Sequence, residues 1–356
     1  MMSRIVFPLL LSFLVSFVTA PILRKVALKW GIVDHPEVRK LQKEPVPLLG
    51  GAAVYLGIFL GVAPIFLFAR SLDGPTLVLL LAASLIFVAS LIDDKKKLSA
   101  RLRLVVQLAA ALIVIGAGIR IDFLPNDVWG NAGEVLITLL WILGITNSFN
   151  YLDGIDGLCC GIGIICSFFF FVVLLSTGQI DLIFLPLAII GSCLGFLPSN
   201  FRKEKMFLGD AGSICLGFLI SGIALMGNWA SDNIIKISVP ILILGVPIFD
   251  MIFTTIMRVR ENKIRTIVQW LEYAGRDHFH HYLMDLGLRS LGAVFFICSI
   301  SISMGISAII IAKSDRAFYG ILTIFKGAIM FGLVAVLMVL GRRLHKTAEV
   351  RERIGI

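Results

Sequence analysis

Apolar stretches of about twenty residues recur along the whole chain, separated by short polar breaks. Each is long enough to cross a hydrocarbon core of ~30 Å as a helix, and backbone immersed in lipid must satisfy its own polar groups. The expected fold is therefore all-α, a polytopic bundle of membrane helices. Only 15% of residues are charged, against roughly 25% in a soluble domain. Eleven spans are expected, over 4–23, 48–69, 75–92, 104–123, 133–150, 157–177, 181–198, 212–229, 235–256, 291–312 and 320–341. They form one transmembrane domain over 1–356, with almost no room for a soluble module. The first run is followed by a basic stop and no small-residue cleavage site, so it reads as a span and not as a removed leader.

Charge gives the orientation. Of the 32 lysines and arginines, 25 fall in one set of alternate loops and six in the other, with Lys326 inside the last run. The positive-inside rule puts the rich side in the cytoplasm, the N-terminus outside and the C-terminus inside. The net charge of +9 sits on that face, where it can also meet anionic headgroups. No basic soluble module exists, so nucleic-acid binding is not expected. The six cysteines lie in apolar runs without metal spacing and read as packing residues. No internal repeat points to an inverted-repeat transporter.

Five polar stretches, near 34–51, 93–103, 147–158, 200–213 and 258–289, fall on the basic side. The most telling runs from Asn147 to Leu158 and holds Asn147, Asn150, Asp153 and Asp156 with Gly154 and Gly157. Amides and carboxylates at a hydrocarbon boundary are costly unless they bind something polar. A helical turn would put Asp153 and Asp156 on one face. At the end of the third span come Asp93 and Asp94, followed by Lys95, Lys96, Lys97, Arg101, Arg103 and Gln107. Adjacent carboxylates favour a base or a divalent ion, and the cations suit phosphate oxygens.

Asp210 stands between Gly209 and Gly212 after Arg202, Lys203 and Lys205, where it can offer oxygens to Mg²⁺ or cap the next span. Phe207 reads as a ring exposed at a polar turn, suited to stacking on a base. The loop from Asp34 to Gly51 carries Lys43, Pro45 and Pro47 before the Gly50-Gly51 pair, and Lys43 can approach a phosphate. In the last loop, Ile264, Ile267, Val268, Trp270 and Leu271 share one face of an expected interfacial helix. Then come His278, His280 and His281, whose spacing matches no common zinc pattern. They read as donors to a diphosphate or partners of a carboxyl group. Asp250, within the ninth expected span, has no evident role.

Taken in order, these motifs resemble the polyprenyl-phosphate N-acetylhexosamine-1-phosphate transferases, of the glycosyltransferase family 4 type, over nearly the whole chain. The resemblance implies Mg²⁺-dependent (or Mn²⁺-dependent) transfer of a sugar 1-phosphate, GlcNAc by default, from a UDP-sugar to undecaprenyl phosphate, with release of UMP. It implies that Asp93 or Asp94 deprotonates the lipid phosphate and that Asp210 holds the metal. Asn150, Asp153 and Asp156 would line the donor pocket, Phe207 would lie beside uracil, and Lys43 would lie near the substrate; Asn147 and Arg101 join the expected substrate-binding set on residue type alone. His278, His280 and His281 match the His-x-His-His motif of the N-acetylglucosamine-type branch. The peptidoglycan branch, which transfers phospho-MurNAc-pentapeptide, has three consecutive histidines. Gln42 departs from the histidine many members carry. The implied setting is the bacterial cytoplasmic membrane with the site facing inward, and a homodimer is compatible with the sequence. The rival classes are an ion-coupled transporter, which needs acids at mid-span, and a lipid-binding scaffold, which needs no acid pair.

Overall fold

The computed structural model describes residues 2–36, 44–65, 74–266, 269–270, 273, 275, 277–314 and 316–354, with side chains between 6 and 342. Its helices are α1 (Met2–Trp30), α2 (Gly50–Pro64), α3 (Gly74–Lys96), α4 (Ala100–Gly116), α5 (Val128–Leu152), α6 (Leu158–Ser176) and α7 (Phe184–Phe201). They continue as α8 (Gly209–Met226), α9 (Asn233–Ile243), α10 (Gly245–Arg260), α11 (Phe279–Asp285), α12 (Ser290–Ala312) and α13 (Ala317–Ile354). The one sheet among the described residues is a two-residue antiparallel ladder of β1 (Val33–Asp34) and β2 (Val46–Pro47), with Val33 opposite Pro47.

Each of the eleven expected segments contains a helix or a helix pair among its described residues, although the helix of the fourth ends at Gly116, short of the expected 123. Among the described residues eight helical segments are long and apolar enough to cross a membrane, and the bent pair α9–α10 makes a ninth. The chain is thus a multi-pass membrane protein. The remaining two segments are α2, at 15 residues, and α4, at 17.

Helix α8 is the centre. It is apolar all round, and every residue from Ala211 to Ala224 is buried, as expected for a helix with no polar face. Helices α3, α5 and α2 pack on it, while α1 lies against α7 and α2. Helix α13 turns Phe318, Leu322, Phe325 and Leu333 outward, as expected where lipid replaces protein as the apolar solvent.

The span expected over 235–256 is broken. Helices α9 and α10 meet at 75° around Leu244. Pro247 lacks the N–H that would bond the Ile243 carbonyl, and proline is a regular cause of sharp kinks. The freed Ile243 carbonyl accepts the Cys166 thiol at 3.3 Å, so one of the packing cysteines also satisfies backbone polarity inside the bundle.

The loops before α2 and α8 are zipped together. Gly50 N–H donates to the Phe207 carbonyl at 3.1 Å, Gly51 N–H to Leu208 at 2.7 Å, and Phe207 N–H to Pro47 at 2.9 Å. A Cβ on Gly51 would lie 2.2 Å from the Gly212 nitrogen. The glycine pair is there because two helix starts touch, and no side chain fits between them.

Candidate active site

At one end of the bundle the C-terminal ends of α3 and α5 and the N-terminal ends of α4, α8 and α12 surround a cavity of about 740 Å³. Asp93, Asp94, Asn147, Asn150, Asp153, Asp156, Phe207, Asp210, His278, His280 and His281 all line it. Residues from all five polar stretches therefore converge, the first through Asp34 and Leu48. Lys43 lies outside the described residues, as do Ile267, Val268 and Leu271 of the expected interfacial helix. Trp270 of that stretch donates its indole N–H to Thr255 Oγ1 at 2.8 Å.

The acid pair is divided in its contacts. Asp94 turns to α8, and its two oxygens accept the backbone N–H groups of Asp210 and Ala211 at 3.0 and 3.2 Å. A carboxylate at those first amides suits the positive end of the helix dipole. Asp93 is buried and accepts the Leu98 N–H; its other oxygen meets Arg103 Nη1 at 3.3 Å. The same guanidinium nitrogen is 3.4 Å from Asp210 Oδ2. Asp210 Oδ1 accepts Asn150 Nδ2 at 2.8 Å, and Asn150 also donates to Ser213 at 3.1 Å. Leu208 is the N-cap residue of α8, so Asp210 is helical within the first turn and is not the cap.

Arg101 does not reach this group. It is exposed and does not line the cavity. Two helical positions differ by about 200° in direction, so when Arg103 faces the acids Arg101 faces away. Arg103, read only as part of a basic run, holds the position expected of Arg101. Phe207 is half-buried and not exposed, because its backbone is tied into the loop zipper. Lys205 Nζ sits 5.0 Å above its ring and 2.8 Å from Asp156 Oδ2.

Asp153 and Asp156 are on a turn after α5, not on a helix face. Gly157, the N-cap of α6, takes φ +81° there and donates its N–H to Asn200 Oδ1 at 2.6 Å, which ties down the turn between α5 and α6. Burial pushes the Asp153 carboxyl well above the ordinary carboxylate range, with Asp210 and then Asp156 adding repulsion. Asn147 is cross-linked to Gln107 of α4 at 2.9 Å.

The three histidines differ. His280 is fully buried, and neither of its ring nitrogens has a hydrogen-bond partner among the described residues. Desolvation, helped by His281, pulls its pKa down to about 3, so the ring is neutral in ordinary buffers. It rests on Gly154, where a Cβ would lie 2.2 Å from Nε2. His278 is engaged on both sides, by Asp250 Oδ2 at 3.2 Å and Arg258 Nη2 at 3.2 Å. Arg258 also forms a two-point ion pair with Asp277, at 3.0 and 2.8 Å. Asp250 is thus no isolated mid-span acid, and the transporter reading loses the candidate it had. The sequence signal was present, as Asp250, Thr254 and Arg258 fall four apart on one helical face. Breaking a buried pair of this kind costs roughly 3–5 kcal/mol.

Fold and site together define a polytopic membrane protein with a polar, carboxylate-rich cavity at one end of its helical bundle. The profile of glycosyl transferase family 4 matches residues 76–228, from α3 through α8. A probable undecaprenyl-phosphate N-acetylglucosaminyl 1-phosphate transferase of Bacillus subtilis is 35% identical over 94% of this chain and 92% of its own length. A decaprenyl-phosphate N-acetylglucosaminephosphotransferase of Mycobacterium tuberculosis is 29% identical over 92% of this chain and 86% of its own. An undecaprenyl-phosphate alpha-N-acetylglucosaminyl 1-phosphate transferase of Escherichia coli is 29% identical over 77% of this chain and 75% of its own. The chain belongs to glycosyl transferase family 4, as its motifs implied.

Proposed function

We propose that this protein transfers N-acetylhexosamine 1-phosphate, GlcNAc by default, from a UDP-sugar to undecaprenyl phosphate and releases UMP. The observation that carries the reading is the meeting of Asp93, Asp94 and Asp210 at a polar cavity that caps an apolar bundle, with Arg103 between Asp93 and Asp210. A lipid acceptor keeps its prenyl chain in the bilayer and brings its phosphate to such an interface, while the nucleotide arrives from water.

In the proposed step an oxygen of the lipid phosphate attacks the β-phosphorus of the donor. A new P–O bond forms, and the bond from that phosphorus to the bridging oxygen breaks as UMP leaves with the electron pair. Two anions must meet, so positioning and charge neutralisation carry the rate. Asp93 is the candidate base, since an incoming phosphate can take over its contact with Arg103. Asp94 holds α8 in place for Asp210. Lys205 and Arg103 neutralise phosphate charge, Phe207 offers a face for the base, and His280 offers a neutral imidazole.

The donor set fits magnesium, which favours one or two carboxylates plus phosphate oxygens and waters. Among the described residues no three His, Cys, Asp or Glu side chains form a closed metal cage, and Asp210, about one-third exposed, is open to the cavity. Asp210 would hold Mg²⁺, or Mn²⁺, and the ion when bound would draw charge from the diphosphate.

The reading places the protein in the bacterial cytoplasmic membrane, with eleven crossings, the N-terminus outside and the cavity open to the cytoplasm. The charge asymmetry supports it, because every lining segment comes from the basic-rich loops. It counts α2 and α4 as crossings, at ~22 and ~26 Å. Purified protein with undecaprenyl phosphate, Mg²⁺ and a panel of UDP-N-acetyl sugars, followed by UMP release, tests the whole. If no sugar in the panel yields metal-dependent UMP, the proposal is wrong.

A further inference from the structure

We infer that Asp250 is a positioning residue which, with Thr254 and Arg258, clamps the start of the histidine helix and makes His278 a fixed support instead of a proton-transfer group. The inference rests on the transferase reading above.

Asp250, Thr254 and Arg258 lie on one face of α10 and grip three consecutive residues. Asp250 Oδ1 accepts the Phe279 N–H at 2.6 Å, at the first turn of α11. Thr254 Oγ1 donates to the Asp277 carbonyl at 3.1 Å. Arg258 pairs with the Asp277 carboxylate and reaches His278 Nε2. A guanidinium has donors only. Nε2 must therefore accept, Nδ1 must carry the hydrogen, and that hydrogen points to Asp250 Oδ2. Both ring nitrogens are used inside the protein, and one tautomer satisfies both contacts.

The clamp is dry, with Asp250 at 0%, Arg258 at 1% and Asp277 at 1% exposure. Tyr151 of α5 is stacked on the His278 ring at 4.5 Å, and the His280 ring lies 6.2 Å away. Tyr151 is two residues before Asp153. The clamp thus fixes α11 against the α5–α6 turn, where His280 meets Gly154. A proton shuttle needs a nitrogen facing the reactants, and His278 has none to spare.

The test uses the full chain with undecaprenyl phosphate, Mg²⁺ and the UDP-sugar that wild type accepts. His278→Gln retains one donor and one acceptor but cannot shuttle a proton. It should keep kcat within about tenfold of wild type with the same pH profile, while His278→Leu loses more than 100-fold. A His278→Gln protein as inactive as His278→Leu, or one lacking a limb of the pH profile, overturns the inference. Asp250→Asn is the second variant. Its amide nitrogen would face Nδ1 and demand the other tautomer, setting a ring N–H against Arg258. It should lose more than tenfold in kcat and raise the KM for the UDP-sugar, with its pH profile unshifted. Unaltered kcat and KM in that variant also overturn the clamp. Melting without substrate gives an independent readout: His278→Gln should melt within about 3 °C of wild type and His278→Leu well below it. Equal melting of the two overturns the clamp. Absence of UMP release by wild type itself counts against the transferase reading alone.

Discussion

Asp94 spans the gap between α3 and α8 by accepting the backbone N–H of Asp210 at 3.0 Å and of Ala211 at 3.2 Å. The carboxylate beside it, Asp93, makes neither contact and faces Arg103 instead. Two adjacent acids thus have different work. Asp94→Asn places an N–H donor against one of those amides and loosens Asp210. It should raise the Mg²⁺ concentration needed for half-maximal UMP release. Asp93→Asn should leave that concentration near the wild-type value and lower kcat by about 100-fold. Titration of both variants with Mg²⁺ separates the roles.

Asp210→Ala removes the carboxylate proposed to hold the metal. Electrostatic groups of this kind are worth roughly 10²–10³ in rate, so UMP release should fall at least 100-fold and lose its Mg²⁺ dependence. Full activity would remove Asp210 from the metal role.

The two arginines of α4 predict opposite results. Arg103→Ala unpairs Asp93 and Asp210 and should reduce activity about 100-fold. Arg101→Ala changes an exposed side chain outside the cavity and should stay within about threefold. Parallel assays of the two purified variants check the assignment.

Gly154→Ala places a methyl group against the His280 ring. The ring or the turn must shift, because that Cβ would lie only 2.2 Å from His280 Nε2. KM for the UDP-sugar should rise about tenfold while the protein remains folded, as judged by size-exclusion profile and melting temperature.

Stability should carry two pH signatures of opposite sign. His280 is pulled down to about 3 in the folded chain and titrates near ~6.5 when unfolded. Between these values the unfolded chain binds the extra proton, so stability present above pH 6.5 is lost as the pH falls toward 3. Asp153 is raised well above its ordinary value by burial and neighbouring acids. The folded chain then keeps a proton that the unfolded chain has released, and stability declines as pH rises from ~4 through the raised value. His280→Gln should flatten the first slope and Asp153→Asn the second. Melting temperatures from pH 4 to 8 measure both, and an unaltered slope excludes the group concerned.

Much was legible in the sequence because a membrane imposes strong local rules. Hydrocarbon thickness made apolar length readable: each of the eleven expected segments contains a helix, and among the described residues nine, counting the bent pair, are long and apolar enough to cross a membrane. The cost of charge near lipid made Asp93, Asp94, Asp153, Asp156 and Asp210 conspicuous, and they meet in one cavity. What pattern could not supply was direction. Arg101 and Arg103 are equal as composition, and only the rotation of α4 selects Arg103. The turn at Gly157 separates Asp153 from a helix that spacing alone suggested. The bend at Leu244 follows from Pro247, but its 75° angle is visible only in the folded chain. Asp250 looked like a stray acid in an apolar run until α10 was set beside α11, where its oxygens find Phe279 and His278. Hydrophobic length and charge are properties of a segment and survive in one dimension. Hydrogen-bond partners belong to pairs of segments, and they exist only once the helices have packed.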